Sequence, residues 1–170
     1  MYDFNDFQKL VSDYAKVYSK FEKMQDEAEF IPEKGDQKTG LIGEAYIYEY
    51  LSRCKCKKLD FGNHSEKGWD IECSNGKYQV KTVSYYSETQ KVSPIHEGWD
   101  YLYFVHLNEK FVPDRILKIE NPGNWNNNVI KGLKFPENKQ TIILNGKTCT
   151  IYDETDKFKK LFDFLISREL

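Results

Sequence analysis

Apolar residues recur at steps of three and four along residues 3–27, which is the spacing of one face of an amphipathic helix. They are Phe4, Phe7, Val11, Tyr14, Tyr18 and Phe21. The same spacing predicts a second helix over residues 37–52 and a third over residues 153–170, while Pro32 and Gly35 predict a loop between the first two. Core packing explains the first stripe, and its heptad-like spacing also leaves a dimer seam open.

Strands are predicted between the second and third helices, where apolar residues alternate or run continuously. The predicted ranges are 55–61, a hairpin over 68–82 whose second strand continues to 86, 100–107, 111–119 and a hairpin over 141–151 around Asn145-Gly146. The polar residues 87–98 include Pro94 and predict an irregular connection, and the Asn-rich residues 121–128 predict a loop. This order indicates an α/β fold with a sheet of mixed direction.

The first hairpin brings charged side chains together. Its Asn75-Gly76 pair favours a two-residue turn, because both residues tolerate positive φ. That turn would place Glu72 opposite Gln79, and Asp70 opposite Lys81. These four side chains then share one face of the hairpin, and the apolar residues occupy the other.

Two carboxylates, an amide and an ammonium on one face have the chemistry to hold a divalent cation against a phosphate. Mg²⁺ prefers oxygen ligands and usually takes one or two carboxylates from the protein, which leaves positions for phosphate oxygens. The alternative is a solvated face whose charges pair across the strands, at about 0.2–1 kcal/mol per pair.

Glu44 is a further candidate for this site. At 100° per residue it falls inside the apolar stripe of the second helix, where an unpaired carboxylate is costly. Gly40 and Gly43 on the adjacent turn allow another backbone or a ligand to approach. A metal ion or Lys81 would provide the partner that Glu44 needs, and a side chain that reaches solvent at the edge of the stripe is the alternative.

Length, composition and charge limit the classes of protein to which this chain can belong. The chain has 170 residues, enough for one domain with a sizeable core, and its formal net charge of −2 provides no global field for nucleic acid. The N-terminus has no apolar signal region, and no stretch is long enough to span a bilayer, so we expect a cytoplasmic protein that does not contact a membrane.

The four cysteines do not have the usual metal spacing. A zinc site of Cys54, Cys56, His64 and Cys73 can be drawn, but Cys-x-Cys is not the Cys-x-x-Cys pattern of structural zinc. We therefore expect reduced, mostly buried thiols.

Two groups of residues are candidates for binding nucleic acid. The first is basic and consists of Lys55, Lys57 and Lys58, which could contact phosphate or form a solvated edge. The second lies in the Asn-rich loop and consists of Asn124, Trp125 and Asn126, whose side chains could read or stack on bases. Turn chemistry explains the second group equally well.

Glu44 on a helix, Asp70 on a strand and Gln79-Val80-Lys81 on the next strand together resemble the PD-(D/E)XK nuclease superfamily, the fold of type II restriction endonucleases and Holliday-junction resolvases. The resemblance covers residues 37–107. It implies a restriction-endonuclease-like αβββαβ core, with a mixed central sheet flanked by helices. Residues 1–170 then form one nuclease-like domain, to which the helix 3–27 and residues 108–170 are additions.

The resemblance also implies roles for these residues in Mg²⁺-dependent hydrolysis of DNA, with Mn²⁺ as a substitute. Asp70 binds the ion, the Gln79 side chain and the Val80 carbonyl complete its shell, and Glu44 binds a second ion or a water. Lys81 stabilises the transition state and helps to orient or deprotonate the water. Gln79 stands where an acid is usual, as in some branches of the superfamily.

Further expectations follow from the same resemblance. Glu72 could supply the charge that Gln79 lacks, and His64 is a possible accessory residue. Because one site cuts one strand, we expect a homodimeric DNA endonuclease of restriction or defence type, with no organic cofactor.

Other functions stay open. A resolvase or repair nuclease would use the same chemistry. A catalytically inactive nucleic-acid-binding or interaction module could have the same fold, since fold alone does not fix activity. A structural protein with a merely solvated hairpin face would require that Glu44 does not converge on Asp70.

Overall fold

The computed structural model describes residues 1–27, 38–62, 68–125 and 129–166. The helices in these ranges are α1 (Phe4–Glu27), α2 (Lys38–Arg53) and α3 (Thr155–Ile166). The strands are β1 (Asp60–Phe61), β2 (Ile71–Cys73), β3 (Gly76–Ser84), β4 (Tyr101–Leu107), β5 (Pro113–Glu120), β6 (Thr141–Leu144), β7 (Lys147–Thr150) and β8 (Tyr152–Asp153). The predicted loop at 31–36, His64 and Asn126 lie outside the described residues.

One sheet of mixed direction organises this part of the chain. Its strand order is β1-β2-β3-β4-β5-β8, and β6 pairs with β7 in a separate hairpin. Strands β3 and β4 are parallel, whereas the other neighbours in the sheet are antiparallel. The predicted mixed α/β architecture is therefore confirmed.

The connection from β3 to β4 differs from the αβββαβ pattern. Residues 85–100 contain no helix, so the second helix of that pattern is absent between these strands. Val92, Ile95 and Trp99 bury their side chains. The backbone around them pairs with another irregular segment, through bridges from Lys91 to Lys134 and from Ile95 to Ile130. This long-range pairing satisfies backbone groups that a helix would have satisfied internally.

Apolar side chains form one cluster on each face of the sheet. All three helices contribute to the first cluster, for example through Val11, Ile47 and Phe158. The second lies beside the β6–β7 hairpin and contains Phe104 and Leu144. The predicted stripe of α1 packs against the first cluster, except for Phe21, which is half exposed. Core packing thus accounts for most of the heptad-like spacing.

The predicted strand over residues 55–61 is largely wrong. Only Asp60 and Phe61 pair in the sheet. Lys55 and Lys58 adopt positive φ angles of 62° and 55°, which breaks the extended conformation directly after α2.

The first hairpin forms, but its register differs from the predicted one. Glu72 lies opposite Lys77 and Cys73 lies opposite Gly76, so the turn consists of Ser74 and Asn75. The physical reason is a contact with the start of β4. The Lys77 amide donates to Asp100 Oδ2 at 2.8 Å, and a Cβ on Gly76 would lie 2.7 Å from the same oxygen. The shift is by two residues, so the residues predicted to share a face still do.

A disulfide joins Cys56, which follows α2, to Cys73 in β2. The expectation of reduced thiols is therefore wrong for this pair, and the zinc site that would use both of them is not formed. The Ser74 amide donates to the Lys57 carbonyl at 2.8 Å, which brings the two segments side by side. Cys54 and Cys149 are free thiols.

Among the described helices, none combines the length and the apolar character needed to cross a membrane.

Candidate active site

Asp70 lies where the pairing of β2 with β3 ends. Its amide donates to the Tyr78 carbonyl at 2.8 Å, and its Oδ2 accepts a hydrogen bond from the Val80 amide at 2.7 Å. Gly68, two residues earlier, has a φ of 106°, and a Cβ there would lie 1.7 Å from the Glu97 carbonyl oxygen. This close approach fixes the backbone that leads into Asp70, and the Val80 amide orients its carboxylate.

Glu44 lies on α2 and approaches Asp70 from that helix. A Cβ on Gly43 would lie 1.9 Å from Thr82 Oγ1, so a glycine is needed where α2 crosses β3. Burial, and then the nearby Asp70 carboxylate, raise the pKa of Glu44 from 4.5 to about 7, while Lys81 acts in the opposite direction. The two predicted acids therefore do converge, and they repel each other.

Lys81 extends from β3 toward the carboxylates of Asp70 and Glu44. Burial lowers its pKa, and the carboxylates of Asp70 and Glu44 oppose that shift. Its Nζ donates to Ser93 Oγ at 3.1 Å. Sequence reasoning missed Ser93, because the irregular connection that carries it has no motif that would place it.

Glu44, Asp70 and Lys81 line a cavity of about 710 Å³. Val80 also lines it, together with a wall formed by the connection between β3 and β4. Most of that wall is polar, with Ser87, Thr89 and Ser93 among its residues. A cavity of this size, with three convergent charged groups and shifted pKa values for Glu44 and Lys81, is a candidate binding and reaction site.

Gln79 and Glu72 do not line the cavity. Gln79 is only 3% exposed, and its Oε1 is buried without a hydrogen-bond partner. It does not line the cavity, although its neighbours Val80 and Lys81 do. Glu72 lies opposite Lys77 and also stands outside the cavity wall, so its predicted position facing Gln79 is wrong.

The donor set suits a hard divalent cation bound by few protein ligands. The described residues contain no group of three or more His, Cys, Asp or Glu side chains arranged around a metal position. Mg²⁺ commonly takes only one or two carboxylates and keeps several waters. A cation would also offset the repulsion between Glu44 and Asp70, and the unpartnered Gln79 Oε1 is a further neutral donor nearby in sequence.

The predicted nucleic-acid contacts lie away from this cavity. Lys55, Lys57 and Lys58 are exposed, but none lines it. Trp125 packs edge-on against Trp99 with ring centroids 5.8 Å apart, and its Nε1 donates to Asn121 Oδ1 at 2.8 Å. It is therefore part of the second apolar cluster rather than a free stacking surface.

No family model matches this chain, and no curated protein sequence is similar to it. We therefore infer the function from the geometry of Glu44, Asp70 and Lys81.

Proposed function

We propose that this protein is a metal-dependent DNA endonuclease of the PD-(D/E)XK type, in which an irregular connection replaces the second core helix. The observation that supports this most is the convergence of Glu44, Asp70 and Lys81 in one cavity, although they come from a helix, a strand end and a neighbouring strand. A solvated hairpin face would not require the carboxylate of α2 to meet the other two residues.

Asp70 is the principal ligand in this proposal, and the Val80 carbonyl is a further donor. The Gln79 side chain, which is buried and does not line the cavity, would have to turn toward the ion to become another donor. A bound Mg²⁺ would stabilise negative charge on the oxygens of the scissile phosphate. Lys81 Nζ already donates to a neutral hydroxyl, Ser93 Oγ, and it can exchange this partner for a phosphate oxygen. In the transition state, the ammonium then stabilises charge that the substrate does not carry in its ground state.

Glu44 acts on the attacking water in this mechanism. Burial and the Asp70 carboxylate raise its pKa to about 7 in the metal-free protein, and a bound cation would lower that pKa, so that Glu44 would be ionised and able to accept a proton near neutral pH. The Val80 amide holds the Asp70 carboxylate in place, so the roles of the two acids are separated by their surroundings.

The test is cleavage of supercoiled plasmid, linear duplex and single-stranded DNA in Mg²⁺, in Mn²⁺ and in EDTA. We expect cleavage that needs the metal and is lost in Lys81→Ala. Lys77→Ala is the matched control, because Lys77 belongs to the same strand but does not line the cavity. Cleavage that persists in EDTA, or in folded Lys81→Ala, would contradict the proposal.

A restriction or defence role, action as a homodimer and a cytoplasmic location belong to the same proposal. Duplex cleavage by one site per subunit favours a dimer, which sedimentation of the protein on duplex DNA would test. In the cytoplasm the Cys56–Cys73 disulfide would meet thiol reductants, so the oxidation state in cell extracts bears on the location.

One observation favours a second function. Gln79 is neutral, and although Glu88 lines the cavity with Glu44 and Asp70, the described residues contain no three acids grouped around one metal position. A nucleic-acid-binding module that has lost catalysis would retain salt-dependent DNA binding but would cleave none of the substrates in either metal.

A further inference from the structure

We propose that Lys91 and Lys134 form a phosphate-binding pair that holds the DNA backbone at the rim of the active-site cavity. The inference rests on the proposed nuclease function, because it identifies the anion as a phosphate of DNA. Lys91 lines the cavity, and Lys134 lies directly opposite it in an antiparallel bridge.

The hydrogen bonds around this bridge bring the two side chains close together. The Val92 amide donates to the Leu133 carbonyl at 2.9 Å, and the Phe135 amide donates to the Gln90 carbonyl at 2.8 Å. These bonds flank Lys91 and Lys134 without joining them, which defines a non-hydrogen-bonded pair. In such pairs the Cα atoms are about 4.5 Å apart and the side chains are at their closest.

Two like charges in this arrangement need an explanation. Like charges directly opposite each other destabilise a pair of strands. Val92 and Phe135 are buried, whereas Lys91 and Lys134 are exposed, so the two ammonium groups leave the same outer face of the bridge. Neither forms an ion pair within the described part of the chain. An anion held between the two ammonium groups removes their repulsion.

The position of the pair matches the chemistry beside it. Lys91 is two residues from Ser93, which accepts the hydrogen bond from Lys81. Two residues of chain span at most about 7 Å. A phosphate held by the pair would therefore lie beside the part of the cavity that Lys81 and Ser93 line. The formal net charge of the protein is −2, so DNA must be attracted by local positive groups such as this pair.

The test compares two double variants that remove the same charge. Lys91→Gln with Lys134→Gln removes the proposed pair, whereas Lys9→Gln with Lys20→Gln removes two exposed lysines of α1 that do not line the cavity. Fluorescence anisotropy in EDTA measures the affinity for labelled duplex and single-stranded DNA at increasing salt. Thermal unfolding confirms that both variants fold.

We expect the first variant to bind more weakly and with a shallower salt dependence. Each phosphate contact contributes about 0.9 to the slope of log affinity against log salt for duplex DNA and about 0.7 for single strands. Because the pair holds one phosphate, its loss should lower the slope by about 0.9 on duplex or about 0.7 on single strands. An unchanged slope, or an equal loss in the control variant, would overturn the assignment.

Plasmid cleavage in Mg²⁺ separates this inference from the nuclease proposal. If only the inference fails, the wild-type protein cleaves DNA and the first variant keeps its affinity and slope. If only catalysis is absent, the wild-type protein leaves DNA intact while the lysine variant still loses its salt-dependent binding. That outcome supports the phosphate pair in a DNA-binding module.

Discussion

Replacing Glu44 with Gln should stabilise the metal-free protein at alkaline pH and leave it unchanged at acid pH. In the folded protein, burial and Asp70 raise the pKa of Glu44 from 4.5 to about 7. The folded state therefore binds more protons than the unfolded state between these values. Folding stability falls as the pH rises through this window, and the full penalty applies above it.

The structure sets the size of the effect. A rise from 4.5 to about 7 corresponds to about 3 kcal/mol at 1.36 kcal/mol per pKa unit. The Glu44 side chain keeps some contact with water, which screens its interactions, so we expect about 1–2 kcal/mol. For a protein of this size, that corresponds to a rise in the midpoint of thermal unfolding of about 2–8 °C.

Urea unfolding in EDTA at about pH 5 and about pH 8 measures this difference on both sides of the window. Glu137→Gln is the control, because Glu137 is exposed and forms no ion pair with a described residue. If Glu44→Gln gains the same free energy of unfolding at both pH values, or gains none near pH 8, the electrostatic explanation is refuted. Adding Mg²⁺ near pH 8 should stabilise the wild-type protein more than Glu44→Gln, since only the wild type gains relief from repulsion.

Three further predictions concern the surroundings of the site. Gln79→Glu should cost more than roughly 1–3 kcal/mol in EDTA, because it buries an unpaired charge rather than an unpaired neutral group, and Mg²⁺ should restore that stability; calorimetry that detects no Mg²⁺ binding would remove residue 79 from the ligand set. Gly43→Ala should reduce cleavage more than Gly40→Ala, since a Cβ at Gly43 meets Thr82 whereas one at Gly40 meets nothing within 4 Å; equal rates for the two folded variants would argue against close packing of α2 on β3. Thiol titration of the denatured protein should count two thiols before reduction and four after it, and four from the start would exclude the Cys56–Cys73 disulfide.

Two Asn-Gly pairs show where local sequence determines a turn and where it does not. At Asn145-Gly146 both φ angles are positive, 50° and 73°, and the β6–β7 hairpin forms around them as predicted. At Asn75-Gly76 the contacts of Gly76 and Lys77 with Asp100 move the turn back by one residue. Asp100 is distant in sequence, so no local pattern could have revealed this competition.

The candidate site was predictable because it depends on periodicity. Glu44 follows from the helical period, and Asp70 and Lys81 follow from the two-residue period of the strands, which survives a register shift of two. Ser93 and Lys134 were not predictable, because both lie in irregular segments whose pairing is set by tertiary contacts. The disulfide was missed for a similar reason, since its cysteines are 17 residues apart and local spacing did not indicate pairing.

The most direct test of Asp70 as the metal ligand compares the wild-type protein with Asp70→Asn in the nicking of supercoiled plasmid in Mg²⁺. Asparagine keeps an oxygen that can accept the Val80 hydrogen bond, so the variant should fold while losing the charge that holds the cation. We expect Mg²⁺-dependent nicking by the wild type and none by folded Asp70→Asn. Nicking by the variant at the wild-type rate would contradict the assignment of this cavity as the active site.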